Sequence, residues 1–132
     1  MKIIEFVPTY IKVNGVVVVY GKSVPFPENF KPILDESGSV VITPDQFGGN
    51  HKHPRVEVFY TSGDLTIVWI DGNSQKHEES MAPDKGKYKL FITEPNEPHA
   101  IINKTQNPQI LIEYASEPQR DVEVIKLYNE AQ

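Results

Sequence analysis

Three histidines and a glutamate carry the chemistry of this 132-residue chain. Two of its four histidines stand one residue apart in GGNHKHPRVEV, and a glutamate follows them: His51, His53 and Glu57. Alternate side chains of a strand share a face, so these three point to one side if the segment stays extended through Pro54. Two neutral imidazoles and a carboxylate aimed at one point make a mixed nitrogen and oxygen donor set, which suits a divalent first-row metal. A third histidine, His99, opens an alternating stretch in EPNEPHAIIN, with Ile101 and Asn103 on its own face. A sheet can lay that stretch beside the first and bring His99 to the same point. An H-x-H pair alone is a common surface accident. Glu57 in register with it and H-x3-N on a second strand make coincidence a poor explanation.

The elements that must position these residues are short. Eleven prolines and eight glycines cut the chain into pieces, and the runs between them are rich in Val, Ile, Thr, Tyr and Phe. Strands are expected at 10–13, 16–21, 39–43, 55–60, 65–70, 87–91, 99–103 and 109–115, with turn signals at 61–64, 71–74 and 104–107. This spacing predicts one all-β domain over residues 1–132, a sandwich or barrel, jelly rolls included. Residues 73–86 are polar and read as a long loop or a short helical turn. The tail after Ser116 reads either as a helix starting near Pro118, with Val122, Ile125 and Tyr128 on one face, or as an extra strand over 122–127. The run GVVVVYG is apolar on both faces, which implies burial on both, by its own chain or, preferably, by a second copy.

Composition narrows the function classes. There are no cysteines, which removes disulfides, thiolate metal sites and cysteine nucleophiles. A formal charge of −5 with thirteen scattered Lys and Arg argues against a nucleic-acid ligand. The longest apolar run, residues 16–20, is far short of a membrane span. Glu5 and Pro8 interrupt the start, MKIIEFVPTY, before a secretory core can form. A cytoplasmic protein with a small-molecule ligand is expected.

At the motif positions the chain resembles the cupin superfamily. The first cupin motif runs G-x5-H-x-H-x3,4-E-x6-G, and His51, His53 and Glu57 fit its ligand part. The second runs G-x5-P-x-G-x2-H-x3-N, and His99 with Asn103 fits its ending. The likeness spans roughly residues 40–115. It departs at turns: Asp45 stands at the opening glycine, Gly63 comes one residue early, and Glu94 and Asn96 replace a proline and a glycine. The resemblance implies a small antiparallel jelly-roll β-barrel of the RmlC-like type, often dimeric. It also implies one divalent metal ion (Zn, Mn, Fe or Ni) held by His51, His53, Glu57 and His99.

Other residues are candidates for a pocket around that ion. Glu113, in the apolar run QILIEYAS, could face the interior as a general base beside Glu57. Arg55 could meet an anionic substrate group, and Phe59, Trp69 and Asn103 could contact substrate. The preferred reaction is isomerisation or epimerisation of a sugar or sugar nucleotide. An iron-dependent dioxygenase on the same ligands and a non-catalytic module binding a small ligand or metal are the alternatives.

Overall fold

The computed structural model describes residues 1–128. Its strands are β1 (Lys2–Phe6), β2 (Tyr10–Ile11), β3 (Val17–Val18), β4 (Gly38–Ile42), β5 (Phe47–Lys52), β6 (Glu57–Thr61), β7 (Thr66–Ile70), β8 (Lys76–Ser80), β9 (Tyr88–Ile92), β10 (His99–Ile102), β11 (Gln109–Ala115) and β12 (Glu123–Val124). They form two antiparallel five-stranded sheets, in the orders β1-β9-β6-β11-β4 and β12-β5-β10-β7-β8, and a small β2-β3 hairpin. The expected jelly roll is therefore realised as two facing sheets rather than a continuously hydrogen-bonded ring.

Three apolar layers follow from the alternation of side chains along the strands. Between the sheets, Ile42, Phe59, Phe91 and Leu111 of the first meet Ile67, Trp69 and Ile101 of the second. Each such buried side chain contributes about 1.5–3 kcal/mol, so this layer rather than any polar contact holds the sheets together. The outer face of the first sheet, including Val58, Tyr60, Tyr88 and Leu90, is covered by Val24, Phe26 and Phe30 of the N-terminal segment. The outer face of the second, with Val68, Ala100 and Ile102, is covered by Ile125, Leu127 and Tyr128 of the tail. β6 is consequently buried at all of its positions, its apolar centre Val58–Tyr60 flanked by the buried polar Glu57 and Thr61.

Several expectations are corrected here. Residues 73–86 are neither loop nor helical turn throughout: 76–80 form edge strand β8, whose polar residues face solvent while its backbone pairs with β7. The tail contributes the short strand β12 rather than a helix, paired with β5. The run GVVVVYG is not buried on both faces by its own chain. Val17 and Val18 pair with Ile11 and Tyr10 in a surface hairpin that leaves Tyr10, Ile11, Val16, Val17 and Tyr20 exposed. Residues 47–52, outside the strands expected from the sequence, form strand β5. Gly49 (φ 86°) and Asn50 (φ 65°) adopt left-handed conformations within it, where the β5–β10 register shifts between His99 and Ala100. A Cβ on Gly49 would lie 2.9 Å from the His99 carbonyl oxygen, so only glycine lets the two strands approach this closely. The side chain of Asn50 holds the tail, accepting from the Leu127 and Tyr128 amides and donating to the Tyr128 carbonyl.

Candidate metal centre

The four sequence-predicted ligands meet between the sheets at one end of the sandwich. His51 at the end of β5 is the cross-strand partner of His99 at the start of β10, which sets both in the second sheet. The chain then bends at Pro54 and Arg55 and crosses over, so that Glu57 begins β6 in the first sheet. The expected single extended strand with one shared face is thus broken at Pro54. The ligands converge nonetheless, because both sheets turn these residues toward the shared interior. One ligand atom from each of His51, His53, Glu57 and His99 lies within 4.8 Å of the others, and the imidazole centroids are 4.9 to 5.1 Å apart. His53, Glu57 and His99 are buried and His51 is half-buried.

The hydrogen bonds around this cluster decide what it accepts. His53 Nδ1 lies 3.0 Å from the Arg55 carbonyl, and His99 Nδ1 lies 2.9 Å from the Glu97 carbonyl. A carbonyl only accepts, so each Nδ1 carries the hydrogen and each neutral ring presents its Nε2 lone pair. Those lone pairs face an acceptor. Glu57 Oε1 is 2.8 Å from His53 Nε2 and 3.2 Å from His99 Nε2. Acceptors this close are satisfied only by a positive species among them, a proton or a metal ion. Imidazoles oriented through Nδ1 by backbone carbonyls are the usual arrangement of metal-ligating histidines. The donor set fits a divalent transition metal.

Glu57 is fixed from its other side. Arg55 Nε and Nη2 donate to Glu57 Oε2 at 3.1 and 2.7 Å, and its Nη1 donates to Glu36 Oε1 at 2.7 Å and to the Glu117 carbonyl at 3.1 Å. This leaves Oε1 as the oxygen turned to the histidines. Where the positive species is a proton shared with the facing Nε2 atoms, burial pushes the Glu57 carboxyl up, but the hydrogen bonds it then makes with His53 and His99 outweigh burial and hold the group well below the ordinary carboxylate range. His51 is lowered to about 4, first by burial and then by its neighbours His99 and His53.

This has a measurable consequence in metal-free protein. Between the ordinary value of 6.5 and about 4, the unfolded chain takes up a proton at His51 that the folded chain does not. Stability present above that window is therefore lost as pH falls through it. The Tm of the metal-free protein should drop between pH 6.5 and 4, and His51→Gln should flatten part of the slope. A wild-type Tm constant over that range would count against a neutral His51.

A cavity of about 60 Å³ opens beside the cluster, lined by Gly48, Gly49, His51, Glu57, Phe59, His99, Ile101, Leu111 and Glu113. Glu113 shares the parity of Leu111 and Ala115 on β11 and so faces this interior. Among the described residues its carboxylate has no hydrogen-bond partner, and burial, with the charge of Glu57 adding, raises its pKa. Phe59 lies on the pocket wall, its ring centroid 5.8 Å from that of His99. Trp69 pairs in register with His99 but is not on that wall. It packs into the central layer and stacks on His77, 5.0 Å away at 12°.

Asn103 takes a place other than the expected substrate contact. Its Nδ2 donates to the Ile42 and Asn107 carbonyls, and its Oδ1 accepts from the Thr105 amide and hydroxyl, so the whole amide locks the 103–107 loop. Glu36, which completes the Arg55 network, was not singled out in the sequence; nothing in the 19-residue separation announces it.

Several solved structures share this arrangement of strands. A cupin 2 domain-containing protein from Halorhodospira halophila superposes with TM-score 0.56 at 10% identity, over 93% of this chain and 81% of that one. A dTDP sugar isomerase from Desulfovibrio desulfuricans G20 superposes with TM-score 0.73 at 14% identity, over 98% of this chain and 90% of the other. The fold is the cupin fold. The capsular polysaccharide assembling protein CapF from Staphylococcus aureus also matches, with TM-score 0.60 at 18% identity over 83% of this chain. The present cupin chain spans only about a third, 34%, of that protein's length. No family model matches the sequence, and no curated protein does. Within the cupin frame the departures at Asp45 and Asn96 are mild: both adopt left-handed φ, 64° and 60°, where the motif has glycine.

Proposed function

We propose that this chain is a metal-dependent isomerase or epimerase of a small, sugar-like hydroxycarbonyl compound. The observation that carries the reading is the unpartnered Glu113 carboxyl in the same small cavity as the four-residue ligand cluster. His51, His53, His99 and Glu57 would hold a divalent ion, which when bound supplies Lewis-acid polarisation of a carbonyl oxygen. Glu113 takes the proton from the hydroxyl-bearing carbon next to that carbonyl and returns it to the former carbonyl carbon, while the hydroxyl proton passes to the former carbonyl oxygen. A carboxyl whose pKa is raised by burial is suited to both directions. Phe59, Ile101 and Leu111 keep water from the reacting carbon. The similarity to a dTDP sugar isomerase supports this choice of reaction. We extend the reading to a cytoplasmic homodimer with no nucleic-acid or membrane partner. The exposed apolar β2–β3 hairpin and the net charge of −5 support it, and no helix of the described residues is long and apolar enough to cross a membrane.

The test is solvent deuterium exchange. Protein loaded in turn with zinc, manganese and nickel is incubated in D2O with ketoses and with dTDP-linked keto sugars, and label at the carbon next to the carbonyl is read by NMR. Incorporation is expected, and Glu113→Gln should slow it by about 100-fold or more with metal content unchanged. Absence of exchange on every substrate, together with substrate-dependent oxygen uptake by iron-loaded protein, would move the reading to the dioxygenase.

A further inference from the structure

The charge around the cavity narrows the class of substrate, and this step rests on the isomerase reading above. The pocket wall carries two carboxylates, Glu57 and Glu113, and no lysine or arginine. A second, more open cavity shares Glu113 and continues outward past Asp35, Glu36 and Arg55. Arg55 is thus the one cation lining either space, against four carboxylates, and it is already engaged. Of the five N–H bonds of a guanidinium, four have acceptors here, on Glu57, Glu36 and the Glu117 carbonyl. Arg55 neutralises its own neighbours and has no fork left to clamp a phosphate. Among the described residues no helix longer than three residues exists to offer a positive N-terminus in its place. Size points the same way: at about 60 Å³ the cavity falls well short of the roughly 300–1,000 Å³ typical of small-molecule sites.

We propose that the site takes an uncharged hydroxycarbonyl compound of monosaccharide size or smaller, and excludes phosphorylated and nucleotide-linked sugars. Beyond the ion, a phosphate group would have to sit among Asp35, Glu36 and Glu113, with no free lysine or arginine to meet it. A neutral polyol meets carboxylate oxygens that accept from its hydroxyls and apolar walls that cover its carbon face.

Paramagnetic relaxation tests this on the full chain loaded with manganese. Ligand-proton relaxation is measured for dihydroxyacetone and D-fructose, and for dihydroxyacetone phosphate and dTDP-glucose, at low ionic strength. The neutral compounds should relax strongly, with the effect lost on chelation, and the phosphorylated ones should bind at least about tenfold more weakly. Asp35→Lys should narrow that gap by strengthening dihydroxyacetone phosphate. Tighter binding of dTDP-glucose or dihydroxyacetone phosphate than of the neutral sugars would overturn the inference, and so would failure of both neutral compounds to bind. A gap unchanged in Asp35→Lys would overturn its electrostatic basis. Deuterium exchange into dTDP-linked sugars alone would sink this inference and keep the isomerase. Tight binding of neutral sugars with no exchange would do the reverse.

Discussion

His53→Ala is expected to lower affinity for zinc or manganese by more than about 100-fold while the protein stays folded. Outer hydrogen-bond partners of metal ligands are typically worth about 10–100-fold in affinity, and removal of a ligand itself should exceed that. The fold should survive because His53 lies in the crossing between the sheets and belongs to none of the three apolar layers. Its loss leaves the Arg55 carbonyl without its imidazole partner, a cost of about 1–3 kcal/mol. Glu57 keeps the Arg55 guanidinium and His99. Metal per chain after dialysis, read by elemental analysis, together with thermal unfolding of the metal-free forms, separates the two effects. A variant that retains wild-type metal content, or one that unfolds outright, would contradict the assignment. His99→Ala should behave alike, with a larger stability loss, since His99 sits inside β10 between two neighbouring strands.

The ligand set was legible in the sequence although the geometry inferred for it was not. Imidazole and carboxylate side chains have few reasons to recur at motif spacing, so His51, His53, Glu57 and His99 stood out by residue type. The shared strand face did not hold, because Pro54 breaks the strand and the chain changes sheet. Convergence comes from two sheets facing each other, a tertiary property that parity along one strand does not contain. Strand β5 was not legible because Gly49 and Asn50, left-handed within it, are residue types that a turn and a bulge share. β8 was hidden because an edge strand needs no apolar face of its own. In the valine run, residues 16–20 have strand chemistry without burial by their own chain, because the segment forms a surface hairpin. The interior placement of Glu113 was left open by the sequence, because its immediate apolar neighbours in QILIEYAS point to the opposite face and fit either orientation. Glu36 and its bond to Arg55 left no local trace at all.

The Arg55 pair with Glu57 underlies the second large effect. Arg55→Met is expected to destabilise the metal-free protein by about 3–5 kcal/mol, the range for breaking a buried ion pair by removing one partner. Arg55 is 6% exposed and Glu57 4%, so the carboxylate left behind cannot turn to water. Glu36 is more exposed and can be hydrated, so the loss should trace chiefly to Glu57. Without the guanidinium fork on Oε2, Glu57 is also free to rotate, and its Oε1 is no longer held toward His53 and His99. A bound divalent ion restores positive charge beside the carboxylate, so zinc should recover more stability in Arg55→Met than in wild type. Arg55→Lys should fall between the two, because an ammonium supplies charge but not the bidentate fork. Urea unfolding of all three proteins with and without zinc reads these differences directly. A metal-free Arg55→Met within about 1 kcal/mol of wild type would show that the pair contributes no more than an exposed one. Arg55 would then have to be treated as available to substrate, and the exclusion of anionic ligands would lose its main support.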